Sequence, residues 1–222
     1  NACLHNAAGD YLAFIDDDEV PAVDWLTSLV EVAERCRADA VQGSVVGQYP
    51  GNAPRWAARL RPFDKTCGAT GARVEVGSTC NLLLRRSSLR AHQLQFDVDF
   101  GRSGGEDTDL CYRLTTRGGV IVCAPDAVVY ENVPRERLRC RHLVRRYARG
   151  GHTYASVVLA RQGLPRRALE LLKAFALSAA FALLAIGAAL FRPAAAMRYA
   201  LRLAGNVGKL FFFLGLPPWN LY

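Results

Sequence analysis

The stretch YLAFIDDDEVP, Tyr11 to Pro21, sets three aspartates and a glutamate directly behind an apolar, partly aromatic pentapeptide. The pentapeptide reads as a short buried strand. Carboxylates this close repel one another, so a cation or solvent must offset the repulsion. The carboxyl end of a strand is where open α/β sheets place their ligands. Hard oxygen donors suit magnesium or manganese, and such an ion, held by one or two carboxylates, keeps positions free for substrate phosphates. One reading of Asp16, Asp17 and Asp18 is therefore a divalent cation that grips a nucleotide diphosphate. The other is a solvated acidic turn capping the next helix.

Outward from this stretch, Asn1 to Ala8 reads as a helix end stopped by Gly9 and Asp10. The chain opens without methionine, and the expectation is a fragment lacking an upstream portion. DWLTSLVEVAERC places Trp25, Leu26, Leu29, Val30 and Ala33 on one helical face, with Asp24 positioned as a cap. DAVQGSVVGQY is strand-like. Residues 50–71, rich in Gly, Pro and Arg without a clean period, read as loop with a short helix. VGSTCNLLLRRSSL reads as a strand turning into a helix start, and VIVCAPDAVVYE as two short strands around Pro125. Strands alternating with helices argue for an α/β layered domain.

A second acidic group lies in FGRSGGEDTDLCYRLTTRGG. A glycine pair leads into an amphipathic helix with Leu110, Cys111 and Leu114 on its buried side, closed by Gly118 and Gly119. Glu106 and Asp107 start that helix, where the dipole favours ionised carboxylates. Simple capping is one reading. An ionised aspartate there can also take a proton from an attacking hydroxyl.

The C-terminal third differs in composition. ALELLKAFALSAAFALLAIGAALF is apolar, with only Ser178 interrupting Ala174 to Phe191, near the lower limit for crossing a bilayer. The following segment carries Arg198, Arg202 and Lys209 among apolar residues and reads as a poorer span or an interfacial amphipathic helix. The net charge is +8, with a local excess in RERLRCRHLVRRYARGG, Arg135 to Gly151. No zinc-finger spacing or nucleic-acid module accompanies it, so lipid headgroups and phosphates, not nucleic acid, are the expected partners. Seven cysteines without a CxxC pair argue for a reducing compartment.

Three motifs, GDYLAFIDDDEVPAVDWL, GSTCNLLLRRSSL and GGEDTDLCYRLTTRGG, at these separations resemble a family 2 inverting glycosyltransferase over roughly Asn1 to Gly151. The resemblance implies a GT-A-type nucleotide-diphospho-sugar transferase fold: a mixed sheet flanked by helices, plus C-terminal membrane or interfacial helices. It implies a Mg2+ or Mn2+ site at Asp18 and Asp16, with Asp16 and Asp17 contacting the donor nucleotide. Glu106 and Asp107 match the family's Glu-Asp motif, implying that Asp107 is the base. Asn81 and Arg85 fall in the segment lining the donor–acceptor cleft, and Glu131 stands where many members place a histidine. Arg145, Arg146 and Arg149 stand where processive members carry a Gln-x-x-Arg-Trp motif. Neither that Gln nor that Trp is present, which puts long processive synthesis in doubt. Arg146 and Arg149 are expected to reach the donor diphosphate or a lipid phosphate.

The expected organisation is a catalytic part over residues 1–134 that lacks the nucleotide-binding N-terminal half, a basic interfacial helix over 135–165, and a membrane-associated helical segment over 166–222. The expected partners are a nucleotide-sugar donor, a glycan or lipid-linked acceptor, and membrane lipids. The expected place is the bacterial inner membrane with the catalytic domain facing the cytoplasm. Two rival readings are a haloacid-dehalogenase-like phosphatase, with Asp16 as nucleophile and Asp18 as acid/base, and a non-catalytic membrane-anchored scaffold.

Overall fold

Three consecutive leucines in NLLLR show how the sheet is buried. Successive strand residues point to opposite faces, so Leu82 and Leu84 enter one core and Leu83 the other, and all three are buried. Each is worth about 1.5–3 kcal/mol of apolar burial. The computed structural model describes residues 1–101 and 103–217 and packs them as two units.

The first unit holds Asn1–Gln48, Glu106–Asn132 and the described residues within Phe63–Arg102. Its strands are β1 (Tyr11–Ile15), β2 (Glu19–Pro21), β3 (Ala40–Gln48), β4 (Arg73–Val74), β5 (Asn81–Arg85) and β6 (Ile121–Asn132). They form one sheet in the order β1-β5-β3-β6-β2, with β4 also paired to β6. Only β3 and β6 run parallel, so the sheet is mixed, as the sequence implied. Its helices are α1 (Ala2–Asn6), α2 (Trp25–Arg35), α4 (Arg86–Ala91) and α5 (Glu106–Thr116), and α3 (Arg55–Leu60) belongs to the second unit. On one face Leu110, Cys111 and Leu114 of α5 pack with Leu12, Leu82 and Leu84. On the other, Leu29, Val32 and Ala33 of α2 pack with Val41, Leu83 and Val122.

Several local expectations change. Leu26 is exposed, and Val32 takes the place expected for it on the buried face of α2. Asp24 stands at the N-cap of α2 without a side-chain capping hydrogen bond. VIVCAPDAVVYE lies within one strand, not two. Its pairing with β3 jumps from Gly43↔Ala124 to Ser44↔Val128, and the residues between form a bulge. A bulge tolerates the missing N–H of Pro125, so the strand continues through it. β2 was not foreseen.

The second unit holds Tyr49–Pro62, Ser103–Gly105 and the described residues from Val133 onward. The basic segment expected as one helix is three pieces: a 3-10 turn at Arg135–Leu138, α6 (Cys140–Val157), and a 3-10 turn at Leu159–Arg161. α7 (Leu164–Ala188) and α8 (Pro193–Phe213) follow, each opening with a proline in its first turn, where a missing N–H costs nothing. α8 packs against both α6 and α7. Its contact with α6 is backbone on backbone: a Cβ on Gly151 would fall 1.8 Å from the Gly205 carbonyl oxygen, and one on Gly208 would fall 1.8 Å from that of Ala148. The expected boundary near residue 165 therefore falls inside one unit. Residues 218–222 of the segment expected to be membrane-associated lie outside the described residues.

Candidate active site

The acidic stretch after β1 is a tight turn. The Glu19 N–H donates to the Asp16 carbonyl oxygen at 3.1 Å, and the Asp16 N–H donates to Glu19 Oε2 at 3.0 Å. Glu19 thus closes the turn from both sides, while Asp17 and Asp18 occupy its exposed corners. Glu19 opens β2 and stands opposite Glu131 across the strand pair, and both are buried. Burial, then the charges of Asp16 and Glu131, push the Glu19 carboxyl up to about 7, against the pull of the Asp16 N–H and Lys65.

Asp16 is exposed as a residue, yet its carboxyl lies among enough protein atoms to be partly desolvated. That desolvation is the largest cause of its raised pKa. Lys65 pulls it down, and Asp18, Asp107 and Asp17 push it up. Asp107 acts on Asp16 from a different element, so the fold brings the DDD turn and the GGED turn into one electrostatic neighbourhood.

Asp107 is held at the start of α5. Its Oδ1 accepts from the Thr108 N–H at 2.6 Å and from Thr108 Oγ1 at 3.3 Å. Gly104 and Gly105 before it have φ of +71° and +103°, a conformation that favours glycine. Glu106 shares this first turn. Asp109, also in that turn, is fully buried and paired with Arg113 Nε at 2.7 Å. It is a structural carboxylate, not part of the site.

Lys65 was missed by sequence reasoning, because it lies in the aperiodic stretch between β3 and β5. Its backbone bridges Val45 of β3 through hydrogen bonds of 2.8 and 2.9 Å. Its Nζ lies 3.2 Å from Cys80 Sγ. Since Ile15 pairs with Asn81 across β1 and β5, Cys80 precedes β5 just where Asp16 leaves β1. The exposed ammonium is therefore anchored beside the acidic turn.

Asn81 is fully buried, its Nδ2 donates to the carbonyls of Ser44 (2.9 Å) and Ala127 (2.8 Å), and its Oδ1 accepts from Trp25 Nε1 (2.8 Å). This amide ties β5 to β3, to the β6 bulge and to α2. Arg85 belongs to a surface cluster, with Nη2 3.1 Å from Glu34 Oε1 and its guanidinium over the Tyr11 ring. Arg145, Arg146 and Arg149 lie on α6 in the second unit. His142 is depressed by its burial first and then by Arg146, Arg137 and Arg149, which marks this part of the helix as a cationic cluster.

Among the described residues no group of three or more His, Cys, Asp or Glu forms a metal cage. What the turn offers instead is paired carboxylates crowded by like charge. That donor set fits a magnesium or manganese ion held through one or two aspartates, with its other positions left to phosphate oxygens and water.

Residues 1–92 match the family described as Glycosyl transferase family 2. The chain is 38% identical over 225 residues to the succinoglycan biosynthesis protein ExoM of Rhizobium meliloti (strain 1021), covering all of this chain and 72% of that protein. Among solved structures it is similar to GalNAc-T7 with UDP, GalNAc and Mn2+ (TM-score 0.46, 16% identity, 70% of this chain). It spans about a third (35%) of that structure. It is also similar to S. aureus TarS 1–349 (TM-score 0.45, 14% identity, 97% of this chain and 70% of that one). The likeness to ExoM over the whole of this chain leaves no place for the phosphatase alternative: this chain belongs to the family 2 glycosyltransferases.

Proposed function

We propose that the chain transfers a sugar, with inversion, from a nucleotide-sugar donor to a glycan or lipid-linked acceptor. The observation that carries this reading is the convergence of Asp16 and Asp107, from the end of β1 and the start of α5, with Lys65 beside them. Asp107 accepts the proton of the acceptor hydroxyl. The acceptor oxygen bonds to the anomeric carbon as the bond from that carbon to the diphosphate oxygen breaks on the opposite face, so the configuration inverts. Lys65 receives charge developing on the departing diphosphate. Asp18 and Asp16 are the residues that would hold Mg2+ or Mn2+, which would supply Lewis-acid stabilisation of that leaving group. Asp17 borders the donor, Glu106 supports Asp107, and Arg146 and Arg149 of α6 serve a donor or lipid phosphate.

The biological setting follows from chemistry and kinship. ExoM is named for succinoglycan biosynthesis, and the reading for this chain is a bacterial cell-surface polysaccharide or glycolipid. Sugar nucleotides are cytoplasmic, and the basic α6 beside the apolar α7 suits the cytoplasmic face of the inner membrane.

The test is a screen of sugar nucleotides with the protein at its full natural length expressed in membranes, following nucleoside diphosphate release with Mn2+, Mg2+ or chelator. Metal-dependent release with sugar appearing on a lipid or glycan is expected. Silence with every donor, or metal-dependent sugar transfer that survives loss of Asp107, overturns the reading.

A further inference from the structure

α7 is the one described helix long and apolar enough to cross a membrane, but its neighbours argue against crossing. Among its residues only Ala174 is buried, while Leu172, Phe175, Leu183 and Ile186 all lie exposed. An apolar face this large requires a cover.

α8 runs back along α7. The Phe181 ring stacks on Tyr199 with centroids 6.3 Å apart, and the Arg202 guanidinium lies 5.7 Å from the Phe181 ring centroid. Phe181 is near the middle of the apolar run from Ala174 to Phe191. A cation therefore stands beside the centre of the apolar helix, with Arg198 one turn nearer the bend and Arg192 in the bend itself, and all three are exposed. On its other side α8 is locked to α6 through the Gly151–Gly205 and Ala148–Gly208 contacts, and α6 carries Arg141, Arg145, Arg146 and Arg149. α7 cannot pass through a bilayer without taking α8 along. A charged side chain at the bilayer centre is costly even on the most lenient scale. A helix lying in the membrane plane meets no such cost. It sinks its apolar face about 5–10 Å into the headgroup boundary and leaves flanking cations at the phosphate level.

We propose that α7 is an in-plane anchor. It lies along the surface of an anionic bilayer with its exposed leucines in the acyl boundary. Arg166 and Arg167 at one end, and Arg192 and Arg198 at the other, pair with lipid phosphates, and neither α7 nor α8 reaches the far side. The occupant is a bilayer and not a protein because cations bracket the apolar face at both ends, which complements an anionic headgroup layer. This inference rests on the membrane-associated reading above.

Two measurements on the full chain test it. In flotation, the chain binds vesicles of phosphatidylglycerol and phosphatidylcholine in equal parts and binds phosphatidylcholine alone weakly. Leu183→Glu, at an exposed position, lowers the binding at least about tenfold with an unchanged circular dichroism spectrum. In trypsin protection, sealed spheroplasts protect the chain completely, whereas inverted inner-membrane vesicles expose it. Trimming at Arg192 or Arg198 from outside spheroplasts overturns the in-plane anchor while leaving membrane association standing. Failure to bind either vesicle overturns both readings. Equal binding to neutral and anionic vesicles removes the phosphate pairing. Concentration-dependent self-association that Leu183→Glu abolishes, without vesicle binding, assigns the face to a second copy of the chain and overturns the proposal.

Discussion

α5 and α7 are both helices of the same chain, yet they settle in opposite ways. α5 has 11 residues and buries Asp109, Leu110, Cys111, Tyr112 and Leu114, while α7 has 25 and buries Ala174 alone. α5 is amphipathic, and its apolar stripe matches the sheet face carrying Leu82 and Leu84. This fixes its first turn, and with it Asp107, in the electrostatic neighbourhood of Asp16. α7 is apolar nearly all round, and α8 covers only part of it. The apolar content of a helix therefore tells less than its distribution: a stripe docks the helix and positions the carboxylates of its first turn, whereas a continuous coat points to a partner other than the chain's own core.

The sharpest test of that contrast is a matched pair of truncations. Leu83→Ala empties a site buried on both sides and is expected to cost about 2–5 kcal/mol in denaturant unfolding. Leu183→Ala, on the exposed coat of α7, is expected to change unfolding in detergent-free buffer by no more than about 0.5 kcal/mol. Comparable losses at the two positions would mean that α7 is a core helix after all.

The same contrast explains what could be read from sequence. α2, α5, β1 and the strand–helix step at β5/α4 were legible because an apolar period of 3.6 or a short apolar run, with turn residues at its ends, marks each of them. β2 was not, because three residues, Glu19 to Pro21, carry no period and are ordered by their pairing with β6. The continuity of β6 through Pro125 was hidden for a related reason, since only the parallel neighbour β3 reveals the bulge. At the site, the two acidic turns stood out as charge clusters. The structural bonds of Asn81 were not legible, because its partners Trp25, Ser44 and Ala127 come from three other elements. Lys65 had no local signal, since a cross-strand bridge and the neighbouring Cys80 position it.

At the DDD turn, the proposed role of Asp18 as a metal ligand predicts that Asp18→Asn lowers metal-dependent turnover by about a hundredfold or more and raises the manganese concentration for half-activity. Unaltered metal dependence would return the DDD turn to a capping role. In the helical unit, Gly151→Ala places a methyl against the Gly205 carbonyl and is expected to cost about 1–3 kcal/mol. Its neighbour Gly150 faces open space, and Gly150→Ala is expected to be neutral or to stabilise by up to about 1 kcal/mol through helix propensity. Equal effects would dissolve the α6–α8 contact. At Lys65, Lys65→Met is expected to weaken nucleoside diphosphate product inhibition about tenfold and to leave the melting midpoint unchanged. A lower melting midpoint with intact product inhibition would make Lys65 a structural counter-charge alone.

The most direct test of the account is single-turnover sugar transfer by Asp107→Asn alongside calorimetric binding of donor and Mn2+ to the same variant. The prediction is donor and metal binding close to that of the unaltered chain, with transfer slowed by roughly 100- to 10,000-fold. Transfer at the unaltered rate would contradict the assignment of Asp107 as the base and, with it, the functional meaning of the α5 N-terminus meeting the end of β1.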